Sequence, residues 1–364
     1  MDLKRTALIW ALAGMLGLSV EKIASAGSPS PSGGFGIKVV GNKFTDLSGN
    51  VLQLQGENIA GLTERQPGMW DGFYNTTVST WKSIKNAWQM NVIRLPVNEY
   101  DWRKNTLSAG GHPYQTIIET TVANITASGM YVVIDLHWAA PNAYTSSACG
   151  SAAGCADGQP GYLNTDNSPS FWTSLATTFE NNPAVLFELF NEPFADDASS
   201  WDSTRLNLLK SGGTFTFYVQ TSGQGNPVDT GVTFQVAGHQ QLVTVIRNAG
   251  ATNVILYSCP GWASVPSRSL SVKPTDPLNQ LGATVHYATG TNADYTNILN
   301  AGIPILMTEF YTLAGRGGYS WAQTNKIGYV MWGPNNWSSN HDLSRLITNS
   351  PWSYNSQSVA WPPF

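Results

Sequence analysis

The sequence predicts an α/β fold, a (β/α)8 barrel of the TIM type, from two observations. Short apolar runs alternate with helix-like stretches along the central chain, which is typical of a parallel sheet covered by helices. Eight such runs occur in a chain of 364 residues, and this number favours a closed barrel over an open doubly wound sheet. We therefore expect a single barrel domain over residues 35–364.

The eight predicted strands are distributed along the whole of this domain. In chain order they are LQLQGEN, NVIRLPV, YVVIDLHW, AVLFELFNEP, NVILYS, ATVHY, PILMTEF and GYVMWG. Stretches with helical periodicity, such as TIIETTVANITASG and HQQLVTVIRNAGA, lie between them.

Two hairpins are predicted outside the barrel. A small N-terminal hairpin is indicated by IKVVGNKFTDLSGN, which contains turn sequences at Gly41-Asn42 and Ser48-Gly49-Asn50. After the fourth strand, residues 212–236 hold two strand-like runs around SGQGNP, which predicts an inserted hairpin. We expect it to rise from the face with the strand ends, either lining a cleft or serving as a structural flap.

The N-terminus resembles an export signal. Lys4 and Arg5 precede the apolar run ALIWALAGMLGLSV, and the small residues Ala24-Ser25-Ala26 follow. We expect residues 1–26 to be a signal peptide cleaved near Ala26, which predicts a secreted or periplasmic protein. The apolar run is short for a membrane span, so an uncleaved anchor is the weaker alternative. Residues 27–34, GSPSPSGG, are predicted to be a flexible linker.

Composition restricts the classes of ligand. Only 12% of the residues are charged, and the chain has 14 Trp and 14 Tyr, which suits a neutral ligand with flat apolar faces such as a sugar. The net charge of −4 argues against nucleic acid. We expect no cofactor, no stable association with membranes and a monomer.

Three cysteines are present in this chain, which we expect to be exported. Cys149 and Cys155 lie close together in SSACGSAAGCADG, and a disulfide between them is the prediction, with two free thiols as the alternative. Cys259 ends an apolar strand and is expected to be a buried, unpaired thiol.

Polar residues converge on the carboxyl ends of six predicted strands, where barrels of this type assemble their active sites. These residues are Arg94, His137, Asn191-Glu192, His286, Glu309 and Trp332. A metal site at the D-x-H pair Asp135 and His137 is a weaker alternative, because the remaining histidines lie in loop or helix contexts. None of the eight strands contains a lysine, which argues against a Schiff-base aldolase.

Five features at the strand ends carry a resemblance to a known family: FELFNEP, DLHW, NVIRLPV, LMTEF and the Trp after the last strand. Together they resemble glycoside hydrolase family 5, whose best-known members are cellulases. The resemblance covers residues 35–364. It implies that Glu192 is the general acid/base and Glu309 the nucleophile. From their sequence surroundings we expect a raised pKa for Glu192 and a lowered one for Glu309.

The resemblance also implies supporting residues. Arg94 and His137 are expected to line the bottom of the cleft, with Arg94 helping to keep the nucleophile ionised. Asn191 is expected to bind the sugar 2-hydroxyl, His286 to lie beside the carboxylates, and Trp332 to stack on a sugar ring.

One departure from the family pattern concerns the residue that supports the nucleophile. The family usually has His-x-Tyr after the sixth strand, whereas this chain has His286-Tyr287-Ala288. In a regular strand, Tyr287 would point to the opposite face, so either a bulge restores it or Tyr311 takes its place.

Two further interpretations concern Glu188 and the tryptophans. Glu188 matches no catalytic position and is predicted to be a structural carboxylate facing into the barrel, where it needs a partner. Two of four tryptophans are expected to stack on sugars. These four are Trp138, Trp201, Trp262 and Trp337.

The predicted function is therefore that of a secreted, retaining endo-β-1,4-glucanase whose substrate is a β-glucan. Another β-glycanase of the same family (a β-mannanase, xyloglucanase or mixed-linkage β-glucanase) is the first alternative. A non-catalytic carbohydrate-binding protein with the same fold is the second.

Overall fold

The predicted barrel is confirmed as a closed ring of eight parallel strands. A computed structural model of the protein describes residues 34–63, 67–142, 158–194, 201–221, 228–286, 291–310 and 318–332, together with position 347. The strands are β1 (Ile37–Val40), β2 (Lys43–Asp46), β3 (Val51–Leu52), β4 (Gln55–Asn58), β5 (Val92–Asn98), β6 (Tyr131–Trp138), β7 (Gly158–Pro160), β8 (Val185–Glu188), β9 (Gly213–Thr221), β10 (Val228–Val236), β11 (Ile255–Ser258), β12 (Leu281–Val285), β13 (Ile305–Phe310) and β14 (Gly328–Met331).

The barrel strands follow chain order around the ring: β4, β5, β6, β8, β11, β12, β13 and β14, with β14 pairing back to β4. Each predicted run overlaps its observed strand, although β5 ends one residue later, at Asn98, and β12 begins two residues earlier, at Leu281. The largest difference is at the fourth strand, where β8 ends at Glu188 and the predicted run continues to Pro193. Asn191 and Glu192 therefore lie in the loop that follows β8.

Helices connect the strands and cover the outside of the barrel. They are α1 (Pro67–Asn75), α2 (Val78–Trp88), α3 (Glu99–Lys104), α4 (Tyr114–Ala127), α5 (Ser168–Phe179), α6 (Ser203–Ser211), α7 (His239–Asn248), α8 (Ser269–Val272), α9 (Asn292–Asn300) and α10 (Gly318–Asn325). Two of these helices begin at clear side-chain caps: the Thr77 hydroxyl caps α2, and Thr291 with Asp294 forms a capping box on α9. Among the described residues, no helix is both long enough and apolar enough to span a membrane.

The interior of the barrel has an apolar layer at the amino ends of the strands. Its buried members include Leu54, Val92, Val133, Leu186, Leu256, Leu306 and Val330. Phe44 of β2 and Ile37 of β1 belong to the same cluster, so the N-terminal hairpin closes this end of the barrel.

Two residues further along the strands, the same interior face becomes polar. Arg94 follows Val92, Asp135 follows Val133 and Thr308 follows Leu306, and all three are fully buried. Because side chains at i and i+2 share one face of a strand, this second layer also points into the barrel. It brings charged groups into a space from which water is excluded.

Both predicted hairpins are confirmed. β1 and β2 pair antiparallel around Gly41, whose φ of +58° favours glycine, and β3 adds a third strand. In the insertion, β9 pairs antiparallel with β10, and β7 adds a third strand on the other side of β9. The order of this second sheet is β10-β9-β7.

Several predictions fall outside the described residues. They concern the signal peptide and most of the linker, the Cys149–Cys155 disulfide, Tyr287, Tyr311 and Trp337. Cys259 is buried and unpaired, as predicted.

Candidate active site

Arg94 lies at the centre of the polar layer. Its side chain is fully buried and forms ion pairs with three carboxylates: Asp135 (Nη2–Oδ2, 2.9 Å), Glu188 (Nε–Oε2, 2.6 Å) and Glu309 (Nη1–Oε1, 3.0 Å). Burial alone would lower the pKa of Arg94, but the three carboxylates outweigh burial and raise the pKa above its usual range. The guanidinium is therefore a permanent buried charge that links β5 to β6, β8 and β13.

Three carboxylates around one cation give an excess of negative charge. Burial raises the pKa of Asp135 to about 7, against the attraction of Arg94, and burial also raises the pKa of Glu188. Protons are therefore lost less readily from these two carboxyl groups than from exposed ones.

Glu188 has the partners that a buried carboxylate requires. Besides Arg94, the hydroxyl groups of Thr284 and Thr308 donate to its Oε1, at 2.9 and 2.8 Å. The prediction of an inward-facing structural carboxylate is thus confirmed. Glu188 holds Arg94 in the orientation in which the guanidinium meets Glu309.

A chain of hydrogen bonds fixes Asn191 and His137. Arg94 Nη2 donates to Asn191 Oδ1 (2.7 Å), which turns the Asn191 amide nitrogen toward His137 Nε2 (3.3 Å). His137 Nε2 therefore accepts, and its Nδ1–H donates to Asp135 Oδ2 (2.7 Å). Burial and then Arg94 lower the pKa of His137, which keeps the imidazole neutral.

Glu192, His286 and Glu309 come together where the strands end. His286 Nδ1 lies 2.7 Å from Glu192 Oε1 and 3.6 Å from Glu309 Oε2. One carboxylate oxygen of each glutamate and a ring nitrogen all lie within 4.8 Å of one another. Among the described residues, these three are the group that can hold a metal ion.

The predicted pKa directions of the two glutamates are wrong. Burial would raise the pKa of Glu192, but hydrogen bonds from His286 and Gln159 outweigh it, so the pKa is lowered. Burial raises the pKa of Glu309 to about 8, with the charge of Glu192 adding to it and His286 and Arg94 opposing. The sequence suggested an apolar surrounding for Glu192, whereas the structure gives it two donors.

His286 connects the two carboxylates to the polar layer. Thr308 donates its hydroxyl proton to Glu188, so His286 Nε2, 3.0 Å away, donates to Thr308 Oγ1. Burial would lower the pKa of His286, but Glu309 and Glu192 outweigh it and raise the pKa. The His286 Nδ1–H of the cation then donates to Glu192.

A register irregularity in β13 explains how neighbouring residues serve one site. The pairing of β13 with β14 shifts between Met307 and Phe310. Thr308 contacts Glu188 and His286, while the adjacent Glu309 contacts Arg94, so both side chains reach the interior. A regular strand would send one of them outward.

Gln159 was not predicted from the sequence. It lies on β7, outside the barrel strands, and its Nε2 donates to Glu192 Oε2 at 2.9 Å. A short strand beside a glycine-rich loop gives no pattern that separates this glutamine from the others in the chain.

The tryptophans divide into two groups. Trp332 is buried and stacks on the ring of His137, with centroids 5.5 Å apart and planes 5° apart. Trp262 is partly exposed and stacks on Phe194 at 4.1 Å, and Trp138 is also partly exposed. Trp201 instead belongs to the buried core.

A closed barrel with two glutamates brought together at its strand ends has the fold and the paired carboxylates of a glycoside hydrolase. The chain matches the family model described as Cellulase (glycosyl hydrolase family 5) over residues 45–341, and it belongs to that family.

Individual relatives are distant. Endoglucanase A from Butyrivibrio fibrisolvens is 24% identical over 286 residues, which cover 75% of this chain and 51% of the relative. Endoglucanase E-5 from Thermobifida fusca is 24% identical over 318 residues, which cover 81% and 55%. The chain thus spans about half the length of these curated relatives. The catalytic domain of a mannanase from Streptomyces sp. SirexAA-E shares the fold, with a TM-score of 0.54, 17% identity and 85% of each chain covered.

We expect Glu188→Ala to lower the free energy of unfolding by about 3–5 kcal/mol, because it breaks a buried ion pair and removes the acceptor of two threonine hydroxyls. Urea denaturation followed by tryptophan fluorescence measures the change. Glu119→Ala, at a half-buried position on α4, is the control and should change the stability by less than about 0.5 kcal/mol. Equal stabilities of the Glu188 variant and the wild type would contradict the structural role of Glu188.

Proposed function

We propose that this chain hydrolyses internal β-1,4-glucosidic bonds with retention of the anomeric configuration. The observation that carries the proposal is the approach of a Glu192 oxygen to a Glu309 oxygen within 4.8 Å. Retaining enzymes have carboxyl groups about 5–5.5 Å apart, whereas inverting enzymes separate them by about 6.5–9.5 Å to admit a water molecule. A spacing at the short end of this scale supports retention.

The surroundings of the two glutamates suit different roles. Glu309 has a side chain only 5% exposed and is held by Arg94, which suits a nucleophile that must meet the anomeric carbon in one position. The side chain of Glu192 is 21% exposed, so it can reach the oxygen of a departing sugar. We assign Glu309 as the nucleophile and Glu192 as the acid/base.

The reaction proceeds in two displacements. In the first, Glu309 attacks the anomeric carbon, the bond to the leaving oxygen breaks, and Glu192 gives its proton to that oxygen. In the second, Glu192 takes a proton from water, the hydroxide adds to the anomeric carbon, and the ester to Glu309 breaks. Each step inverts the carbon, so the product keeps the β configuration.

The carboxylate pair keeps one proton near neutral pH, because two charges this close oppose each other. In the empty site the raised pKa of Glu309, about 8, favours the proton there. The first step requires it on Glu192. His286 Nδ1, which lies near both carboxylates, gives a short route between them. The leaving oxygen completes the transfer by taking the proton from Glu192.

The remaining polar residues are proposed to bind and orient the sugar. Asn191 is held by Arg94 and His137, which makes it a rigid partner for the 2-hydroxyl. Trp332 is proposed to stack on a pyranose face, supported by the ring of His137 beneath it. Trp138 and Trp262 retain exposed surface for further sugar contacts. Tyr287 or Tyr311 remains the proposed hydrogen-bond partner of the nucleophile.

A β-1,4-glucan is the proposed substrate, because the curated relatives are named endoglucanases. Mannan, xyloglucan and mixed-linkage glucan are the alternatives, since enzymes acting on them use the same pair of glutamates. A binding protein without activity is a weaker hypothesis, because such a protein has no need of two carboxylates at this spacing.

Export is also proposed, together with the Cys149–Cys155 disulfide, from the basic, apolar and small-residue segments at the N-terminus. N-terminal sequencing of the secreted or periplasmic protein should give a start near Gly27. Retention of residues 1–26 would contradict the proposal.

The two catalytic roles are tested with Glu192→Ala and Glu309→Ala. Both variants should lose activity on cellooligosaccharides by about 10²-fold or more, while Glu119→Ala should not. With 2,4-dinitrophenyl β-cellobioside and added azide, Glu192→Ala should form the β-cellobiosyl azide, because azide intercepts the covalent intermediate. Glu309→Ala should form the α-azide, because azide occupies the place of the missing nucleophile.

Proton NMR of the isolated azides distinguishes the two anomers. The opposite stereochemistry in the two variants would mean that the roles are exchanged. Full activity of either variant on cellooligosaccharides would contradict the double displacement.

A further inference from the structure

Gln159 is a buried amide that contacts Glu192 from outside the barrel. The residue is 8% exposed, and Nε2 donates to Glu192 Oε2 at 2.9 Å and to the Glu192 carbonyl oxygen at 3.3 Å. Both oxygens of the Glu192 carboxylate are therefore engaged, since His286 contacts Oε1.

The segment that carries Gln159 is held by the inserted hairpin. Gln159 pairs with Gln220 of β9, and a bridge joins Asn164 to Val236 of β10. The amides of Thr165 and Ala237 donate across the same boundary, each at 2.9 Å, to Gln235 and Leu163. Residues 158–165 are thus attached to the hairpin along most of their length.

The hairpin is in turn anchored in the body of the protein. Phe234 and Val236 of β10 are buried in the main apolar core, and Phe215 of β9 packs against the same core. This packing gives the hairpin a fixed position relative to the barrel.

A glycine permits the same segment to lie directly against the Glu192 loop. Phe194 N donates to Gly161 O at 3.1 Å. A Cβ atom at Gly161 would lie 2.6 Å from the Phe194 carbonyl oxygen, so a larger residue would push the segment away. Residues 159–161 therefore run close alongside residues 192–194.

An amide N–H can donate but cannot accept, and this limits what Gln159 does to Glu192. It stabilises the carboxylate and fixes the direction of Oε2, so a proton on Glu192 must occupy a position that Gln159 does not use. Consistent with this, the hydrogen bond from Gln159 is one of the causes that lower the pKa of Glu192, after those from His286.

We propose that Gln159 is a positioning residue for the acid/base Glu192, and that the inserted hairpin serves the reaction by holding Gln159 in place. The proposal rests on the function proposed above. Gln159 matters most in the second displacement, where Glu192 must be an anion with one oxygen aimed at the attacking water.

The test separates the two displacements with 2,4-dinitrophenyl 2-deoxy-2-fluoro-β-cellobioside. Formation of the fluorocellobiosyl enzyme needs no proton donor, because dinitrophenolate leaves unaided. Hydrolysis of the isolated adduct needs Glu192 as base, and Glu309 is then esterified and does not titrate. The dependence of the hydrolysis rate on pH therefore reports the ionisation of Glu192, without a contribution from Glu309.

We expect Gln159→Ala to form the adduct within about twofold of the wild-type rate and to hydrolyse it about tenfold more slowly. The acid limb of the hydrolysis profile should move to higher pH, because the Glu192 anion has lost a donor. Gln159→Glu keeps the size of the side chain and adds a like charge, so it should move the limb in the same direction. Gln241→Ala, at an exposed position on α7 away from the hairpin, is the matched control and should match the wild type.

The proposal would be overturned if the acid limb of the hydrolysis profile stayed in place in both Gln159 variants. An equal loss of rate in adduct formation and in adduct hydrolysis would also overturn it. Failure of the proposed function has a different result. In that case the wild-type enzyme would form no adduct, or Glu192→Ala would hydrolyse it as fast as the wild type, and the assignment of Glu192 would fall together with that of Gln159.

Discussion

The ion pairs between Arg94 and three buried carboxylates are the interaction on which the rest of the site depends. Arg94 is fully buried, and it meets Asp135, Glu188 and Glu309 on three other strands of the barrel. Taking these charges out of water is costly, and the arrangement persists because each group is paired and further hydrogen-bonded. Loss of Arg94 would leave three buried carboxylates without their shared cation, and the position of Glu309 depends on this layer.

The barrel makes this layer possible by separating apolar from polar chemistry along each strand. The amino ends of the strands hold an aliphatic layer closed by Phe44 of the N-terminal hairpin, and the charged layer lies two residues further on. Beyond this layer, burial raises the pKa of Glu309 and the neighbouring charge of Glu192 adds to the rise. The inserted hairpin lies outside the barrel and pairs with the segment that carries Gln159, whose side chain donates a hydrogen bond to Glu192.

The sequence predicted the eight strands and the residues at their ends, because short apolar runs and the polar residues that end them are local patterns. Glu188 was predicted to need a partner for the same reason: a carboxylate inside an apolar run is anomalous in sequence alone. Gln159 and the pKa directions of Glu192 and Glu309 depend on loops that meet in three dimensions. The chain places Gln159 and Glu192 33 residues apart, and no local pattern signals their hydrogen bond.

Arg94 and its partners are proposed to hold Glu309 as the nucleophile, and the assignment of every other residue in the site depends on this role. Peptide mass spectrometry of the enzyme inactivated by the fluorinated cellobioside tests this claim most directly. The account predicts a single fluorocellobiosyl group, attached as an ester to Glu309 in the peptide that contains LMTEF. Attachment to Glu192, or turnover of the natural substrate to an initial α-anomer with no adduct, would contradict it.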